Sequence, residues 1–360
     1  RLGRGLTIEE IPAPPGLVAE LRPYQRIGLG WLQLLRELGL GGVLADDMGL
    51  GKTLQVIAHL QAEKAAGRLE QPALVIAPTS LMGNWRQEAA RFAPELRTLV
   101  LHGADRQQHF GALGEQDLVL STYPLLTRDE EALSAQQWHS VILDEAQAVK
   151  NPRTKAARIV RTLPAKHRLC MTGTPMENHL GELWAMFDFL LPGYLGDSRR
   201  FRRLFRTPIE DQRDTERQAA LQRRIAPFLL RRTKQEVASE LPDKVEIIRS
   251  VSLGDAQATA YETVRAAMDK KVRDSIASKG LARSHLTILE ALLKLRQICC
   301  DPRLLPSATG RRKVGSAKLE LLLDMLPGLL AEGRRILLFS QFTSMFELIE
   351  PELAKLQIPY

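Results

Sequence analysis

The stretch that most constrains this 360-residue chain is Asp46-Asp47-Met48-Gly49-Leu50-Gly51-Lys52-Thr53. It lies between an aliphatic run, Gly42 to Asp46, and a helical pattern, Thr53 to Glu63. A glycine-bearing turn between strand and helix lets successive backbone N–H groups point at phosphate, and the helix N-terminus adds its positive end. In such a loop Gly49 and Gly51 allow close backbone approach, Lys52 reaches the β- and γ-phosphates, and Thr53 offers its hydroxyl to Mg²⁺. The strict pattern opens on glycine and this one opens on Asp46, so a chance match between a strand and a helix stays open at this point.

A second feature narrows the choice. Val141-Ile142-Leu143 runs into Asp144-Glu145, 92 residues after Lys52. An aliphatic strand ending in two carboxylates can hold Mg²⁺ through Asp144 and polarise an attacking water through Glu145. The alternative is an acidic helix cap after a core strand; the two features in this order favour nucleotide hydrolysis.

The rest of the first half keeps the same rhythm. Arg26 to Leu38 reads as a helix, and Leu74 to Ala77, Asp117 to Ser121, Val141 to Leu143 and Arg168 to Met171 read as buried strands separated by room for crossovers. This predicts an α/β fold with a largely parallel sheet covered by helices, its ligands at the carboxyl ends of the strands. Past Pro192 the pattern changes to polar helices, Arg199 to Phe205 and Thr215 to Ile225, a strand at Val245 to Val251, and a helical region from Ala256 to Cys300 with Leu286, Leu289, Leu292, Leu293 and Leu295 as its apolar face. Pro302, Pro306 and the basic loop at Arg311 mark a hinge. A helix from Lys318 to Leu330, a strand from Arg335 to Phe339 and a helix from Ser344 then read as the start of a second α/β domain.

Composition excludes several classes. With 44% hydrophobic, 26% charged and 5% aromatic residues the chain suits an aliphatic α/β core. Its longest stretch without a charged residue, Gln71 to Trp85, is 15 residues long, so no membrane span is expected. Cys170, Cys299 and Cys300 form no CxxC pair, which points to a reducing compartment and core thiols. The seven histidines, among them His59, His139 and His167, read as packing or surface residues. Trp31 and Trp184 read as core. Arg199 to Lys234 holds twelve basic and four acidic residues while the rest of the chain is balanced. That window, with Phe201, Phe205 and Phe228 among the arginines, can face a polyanion or form a solvated helical surface.

With these motifs the chain resembles the Swi/Snf-type ATPases of helicase superfamily 2, over nearly all of it after residue 20. Leu21-Arg22-Pro23-Tyr24-Gln25 resembles the adenine-recognition motif, with Gln25 as the base reader. Asp46 to Thr53 resembles motif I, with Asp47 where Glu is more usual. Leu74 to Trp85, ending in Pro78-Thr79-Ser80-Leu81 and Asn84-Trp85, resembles motif Ia, and Ser121-Thr122-Tyr123 a further DNA-contacting segment. Asp144-Glu145-Ala146-Gln147 with Lys150-Asn151 resembles the Walker-B motif, although many relatives have Gly-His in place of Ala146-Gln147. Thr172-Gly173-Thr174-Pro175 and Asn178 resemble motif III, which couples nucleotide state to the lobe interface. Leu230-Arg231-Arg232-Thr233-Lys234 followed by Leu241-Pro242-Lys244 resembles the signature after the helical protrusion, Leu295 to Pro302 the segment before lobe 2, and Phe339-Ser340-Gln341-Phe342 motif IV.

The resemblance implies a RecA-like P-loop domain with a helical insertion and an incomplete second RecA-like domain: a leader at 1–20, ATPase lobe 1 at 21–195, the protrusion and return at 196–310, and a linker with the beginning of lobe 2 at 311–360. It implies an ATP-dependent double-stranded DNA translocase using ATP and Mg²⁺. The catalytic residues would be Lys52, Asp144 and Glu145. Gln25, Gly49, Gly51, Lys52, Thr53 and Asp144 would bind nucleotide and metal, and Thr172, Gly173 and Thr174 would couple. Thr79, Ser80, Asn84, Thr122, Arg202 and Arg203 would meet DNA. A strand-separating helicase of the same superfamily and a non-catalytic nucleotide- and DNA-binding module are the alternatives. The chain begins at Arg1 without Met, as expected of a piece of a longer protein, and the arginine finger of lobe 2 would lie past Tyr360. Hydrolysis by these residues alone is then expected to be weak, and an internal finger would be sought first at Arg231 or Arg232. A monomer inside the cell, on the nucleoid or in a nucleus, with no membrane partner, completes the expectation.

Overall fold

The computed structural model describes residues 8–173, 180–237, 245–305 and 314–360. The chain divides into two compact units, Arg1–Pro242 and Asp243–Tyr360.

The first unit is built on a parallel sheet. The aliphatic runs become β1 (Gly42–Leu44), β2 (Ala73–Ala77), β4 (Leu118–Thr122), β5 (Trp138–Leu143) and β6 (Ala165–Met171), joined by β3 (Thr98–Val100) and β7 (Leu229–Leu230). Their spatial order is β3-β4-β2-β5-β6-β1-β7, and every neighbouring pair is parallel. In a parallel sheet all strands end on the same edge, so the residues that follow β1, β2, β4, β5 and β6 share that edge. The central strands are buried throughout because helices cover both faces: β2, β4 and β5 are closed along their whole length.

Helix α1 (Pro23–Glu37) starts three residues earlier than its apolar spacing suggests. Pro23 occupies the first helical position, where a missing N–H costs nothing, and Gln25 reaches back to the Arg22 N–H. Helix α2 (Lys52–Ala65) begins directly at Lys52 after Gly51. Helix α3 (Met82–Phe92) buries Met82, Trp85 and Ala89 and leaves the residues between them outside. Trp31 and Trp184 lie in the core, as their helical spacing predicts.

The sequence reading of 199–205 as one α-helix is corrected. Ser198–Phe201 is α-helical, but Arg202–Arg206 winds as a π-helical turn. The boundary between the units falls after β7, because Leu229 and Leu230 return to pair with Val43 and Leu44 of the first sheet.

In the second unit the helical region is two helices, Asp255–Lys279 and His285–Cys300, interrupted at Gly280, whose φ of 75° is left-handed. They pack through Ala260, Val264 and Ile298, and Gln257 ties the Ile298 carbonyl at 2.8 Å to the Ala317 N–H at 3.0 Å. Helices Ala317–Ala331 and Phe346–Lys355 meet through Leu319, Leu326, Ile349 and Leu353. Four expectations fail here. Val245 to Val251 forms no strand, and Ile248 is 92% exposed. Arg335 to Phe339 forms none either, because among the described residues neither run has a neighbour to accept its ladder bonds. Leu286, Leu289, Leu292 and Leu293 face solvent instead of a core. Cys299 and Cys300 are half-buried free thiols, not core ones. Pro306, Arg311, Leu241, Pro242 and Lys244 lie outside the described residues. Among the described residues no helix is long and apolar enough to cross a membrane.

Opposite the carboxyl edge the first unit buries a titratable cluster that the sequence reading scattered. His139 on β5 and His167 on β6 meet edge to face at 5.4 Å, His59 bonds Gln33 at 3.0 Å, and Glu63 lies 3.6 Å from His139. Burial pushes His59 down to about 3 and His139 to about 4. Burial works against ionisation of Glu63, yet Arg68, His59, Gln33 and Arg36 together hold its carboxyl down to about 2. Both histidines are therefore neutral in the folded chain and bind protons more readily when it unfolds. The stability that the neutral histidines contribute is fully present above pH 6.5 and is lost as pH falls from there toward 4, and the contribution of Glu63 is lost in turn below about 4.5. All four tryptophans lie in the first unit, so their fluorescence follows its melting. We predict a melting temperature that declines from pH 6.5 to 5 and a shallower decline in His59→Gln. A flat profile in both would contradict the burial argument.

Candidate functional site

The carboxyl edge of the sheet brings the motifs together. The loop after β1 ends in Gly49 and Gly51, whose φ values of 88° and 73° are available without strain only to glycine. A Cβ on Gly51 would come within 2.6 Å of the Gln25 amide, so the adenine-motif glutamine and the loop are packed against each other. Gln25 also donates to the Leu50 carbonyl at 3.3 Å. Lys52 curls back over the loop and donates to the Asp46 carbonyl at 2.7 Å and the Asp47 carbonyl at 3.4 Å. Thr53 follows in the first turn of α2, half-exposed.

Since β6 is the strand between β1 and β5, the residues after these three neighbours stand side by side: the glycine loop, Thr172 and Asp144-Glu145. Strands spaced about 4.8 Å apart put the loop and the carboxylates roughly 10 Å from each other, the scale of a triphosphate. Asp144 is buried. Its Oδ2 accepts the Trp85 indole N–H at 2.8 Å, its Oδ1 accepts the Glu145 N–H at 2.9 Å, and its carbonyl accepts the Tyr123 hydroxyl at 2.7 Å. Burial raises the Asp144 carboxyl, and Glu145 adds to the rise against the hydrogen bonds and the Lys52 charge. Glu145 itself has φ 49°, a left-handed backbone uncommon for a branched-free acid and typical of residues held for function.

A short relay joins the carboxylates to β6. The Thr172 hydroxyl donates to Gln147 Oε1 at 3.1 Å, and Gln147 Nε2 donates to Glu145 Oε2 at 2.7 Å. The Ala-Gln pair, a departure from the commoner Gly-His, thus supplies an amide that bonds in both directions. Gly173 follows Thr172, and Thr174, Pro175 and Asn178 lie outside the described residues.

Motif residues alone give no hint of the partner of Asp46. Asp46 is fully buried, and Arg232, 186 residues later, pairs with both its oxygens while the Arg232 backbone N–H reaches Oδ1 at 3.1 Å. Arg232 also donates to Gln55 Oε1 at 2.9 Å and to the Tyr24 carbonyl, and it lies over the Tyr24 ring. The neighbouring backbone joins in: Asp47 N–H bonds the Arg232 carbonyl at 3.0 Å, and the Lys234 N–H bonds Asp47 at 3.1 Å. Arg232 is consequently a largely buried cation whose guanidinium is engaged by Asp46, Gln55 and the Tyr24 carbonyl. The signal available in sequence was the acid at the loop's first position, a residue that needs a cation once buried.

Of the expected DNA-facing residues, Thr79, Ser80 and Asn84 are exposed at the start of α3, on the edge the nucleotide motifs share. Arg202 and Arg203 are exposed on the π-helical turn. Thr122 differs: it is 2% exposed, because it is the last residue of β4 and pairs with Ala77, so its side chain is not presented to a ligand.

The donors suit a magnesium nucleotide. A lysine whose bonds among the described residues go to loop carbonyls, two loop glycines at positive φ, and a buried carboxylate with no cation in contact among the described residues provide complementary charge for a polyphosphate and a divalent ion. Among the described residues no group of three or more His, Cys, Asp or Glu side chains could hold a metal by itself. Metal would have to be shared with the phosphates, as is usual for Mg²⁺.

This arrangement defines the chain as an α/β protein with a RecA-like P-loop nucleotide-hydrolase fold. Residues 24–304 match the SNF2-related domain, and the chain belongs to that family. It is 42% identical over 356 residues to YwqA of Bacillus subtilis, a protein named for ATP-dependent helicase/translocase activity, covering 97% of this chain and 38% of that protein. It is 34% identical over 344 residues to the ISWI chromatin-remodeling complex ATPase ISW2 of Saccharomyces cerevisiae, covering 92% of this chain and 30% of that protein. The chain therefore spans well under half the length of these relatives. Among solved structures it is similar to the Sulfolobus solfataricus SWI2/SNF2 ATPase core in complex with dsDNA, with a TM-score of 0.63 and 37% identity over 96% of this chain and 72% of that one.

Removing Arg232 should leave Asp46 charged and buried. We predict that Arg232→Met destabilises the first unit by about 3–5 kcal/mol. The exposed neighbour Arg231, replaced by Ala, should shift it by less than about 0.5 kcal/mol. Urea unfolding followed by tryptophan fluorescence compares the two, and equal small shifts would contradict the pairing.

Proposed function

We propose that this chain is the ATP- and DNA-binding part of a double-stranded DNA translocase. The observation that carries the reading is the convergence of the glycine loop, Asp144-Glu145 and Thr172 on one sheet edge, with exposed Thr79, Ser80 and Asn84 on the same edge. The Sulfolobus ATPase core bound to dsDNA and the yeast remodeling ATPase support it.

In this reading Gln25 reads the base, and Lys52 leaves its loop carbonyls for the β- and γ-phosphates. Thr53 and Asp144 would hold Mg²⁺, which would supply positive charge against the phosphates. Glu145 orients the attacking water and takes its proton. Gln147 holds Glu145 in place and passes its state to Thr172. DNA is met through phosphates, so recognition is independent of base sequence. Turnover by these residues alone is slow, because Lys52 stabilises the transferring group from one side and an arginine from a second lobe completes it, a contribution of roughly 10³–10⁵ in rate.

Titration calorimetry with Mg-ATP should show binding to the wild-type chain and a loss of at least tenfold in Lys52→Ala; unchanged affinity would remove Lys52 from the site. Duplex DNA affinity should fall with salt by a log–log slope of about 0.9 per phosphate neutralised. Charge reversal at Arg202, Arg203 and Arg206 should lower that slope, and no change would make the 199–234 window a solvated surface. Strong DNA-stimulated hydrolysis that Glu145→Gln abolishes would contradict the need for a second lobe.

A further inference from the structure

Trp85 is fully buried, and its indole hydrogen-bonds α3 to one of the nucleotide carboxylates, while Glu88 one turn further on meets the same Asp144 as a like charge. Its helix turns Met82, Trp85 and Ala89 inward and leaves Gly83, Asn84, Arg86 and Gln87 exposed. The helix follows directly on the single turn Thr79–Leu81, so the exposed Thr79, Ser80 and Asn84 and the buried indole belong to one short rigid segment. The indole N–H donates to Asp144 Oδ2 at 2.8 Å. The two other donors to Asp144, the Glu145 N–H and the Tyr123 hydroxyl, come from its own loop and from the end of β4. A buried indole N–H requires an acceptor, and a carboxylate that must present one oxygen to a metal requires the other to be fixed.

We infer that Trp85 is a positioning residue that couples the two ligands. It orients Asp144 toward Mg²⁺ and transmits movement of the 79–84 segment, when that segment meets DNA, to the same carboxylate. The inference rests on the proposed nucleotide and DNA sites and adds the physical link between them. Coupling of this kind is reciprocal: if nucleotide changes DNA affinity by some factor, DNA changes nucleotide affinity by the same factor.

The test uses the full chain, Mg²⁺, the non-hydrolysable analogue AMP-PNP and a short DNA duplex. Calorimetry gives the Mg²⁺ concentration for half-maximal AMP-PNP binding. Fluorescence anisotropy gives the ratio of duplex affinities with and without Mg-AMP-PNP. Trp85→Phe keeps an aromatic ring in the core and removes the donor. It should raise the Mg²⁺ requirement by on the order of tenfold, the usual lower figure for losing a residue that orients a metal ligand, and bring the DNA ratio close to one. Duplex affinity without nucleotide should stay as in wild type. If Trp85→Phe does not fold, β-(3-benzothienyl)alanine at position 85, which has the indole's shape and no N–H, gives the same comparison.

A purely packing role predicts that either variant, once folded, leaves both the Mg²⁺ requirement and the DNA ratio unchanged, and that result overturns the inference. So does a wild-type ratio of one. Failure of the wild-type chain to bind Mg-AMP-PNP or duplex at all would instead overturn the proposed function itself.

Discussion

The buried pair of Asp46 and Arg232 holds the nucleotide end of the molecule together. Asp46 is the last residue before the glycine loop turns away from β1, and a carboxylate at that depth without a cation would cost several kcal/mol. Arg232 supplies the cation, and its backbone and that of Lys234 add bonds to Asp47. Because Arg232 lies two residues after β7, the pair also seats the strand that closes the sheet beside β1. The loop is thus gripped by the strand before it, the helix after it, and a segment that arrives only once the arginine-rich insertion has been traversed. Gln55 completes the arrangement by donating to Asp46 Oδ2 at 3.1 Å and accepting from Arg232 at 2.9 Å.

Around that anchor the chemistry is arranged by strand order. The glycine loop, Thr172 and Asp144 follow three adjacent parallel strands, so nearness comes from topology and not from nearness in sequence. Fine adjustment comes from side chains that the hydrolysis reading does not itself demand. Trp85 and Tyr123 fix Asp144, and Gln147 links Glu145 to Thr172. Each uses a hydrogen bond in a desolvated place, where donors and acceptors left unmatched are expensive.

Much of the first unit was legible in its residues. Short aliphatic runs ending in turn residues became β1, β2, β4, β5 and β6, and the loop at 46–53 lies where strand and helix patterns meet. The two strands that escaped reading are the outermost ones. Thr98–Val100 is half-buried and three residues long, and Leu229–Leu230 is only a pair, too short for periodicity to show. The opposite error occurred in the second unit. Val245 to Val251 and Arg335 to Phe339 have strand composition, but a strand is completed by its neighbours, and among the described residues none pairs with either run. For the site, the loop and carboxylate motifs named Lys52, Asp144 and Glu145, the family resemblance added Thr172, and the structure brings the segments that carry them to one sheet edge. Motif spacing could not name Arg232, whose partner is 186 residues away, nor the buried state of Thr122, which depends on pairing with β2. Trp85, at the end of the segment resembling motif Ia, is a core residue whose indole N–H bonds Asp144.

The 46–53 loop and the Asp144-Glu145 turn, which follow β1 and β5 of one parallel sheet, would together form a single nucleotide site. Amide hydrogen exchange on the intact chain, with and without Mg-AMP-PNP, addresses it most directly. A single site requires slowed exchange in two separate segments, Gly49 to Leu54 and Asp144 to Gln147, with Thr98 to Val100 on the far edge of the sheet unaffected. Protection confined to one of the two segments, or falling elsewhere in the chain, would contradict it.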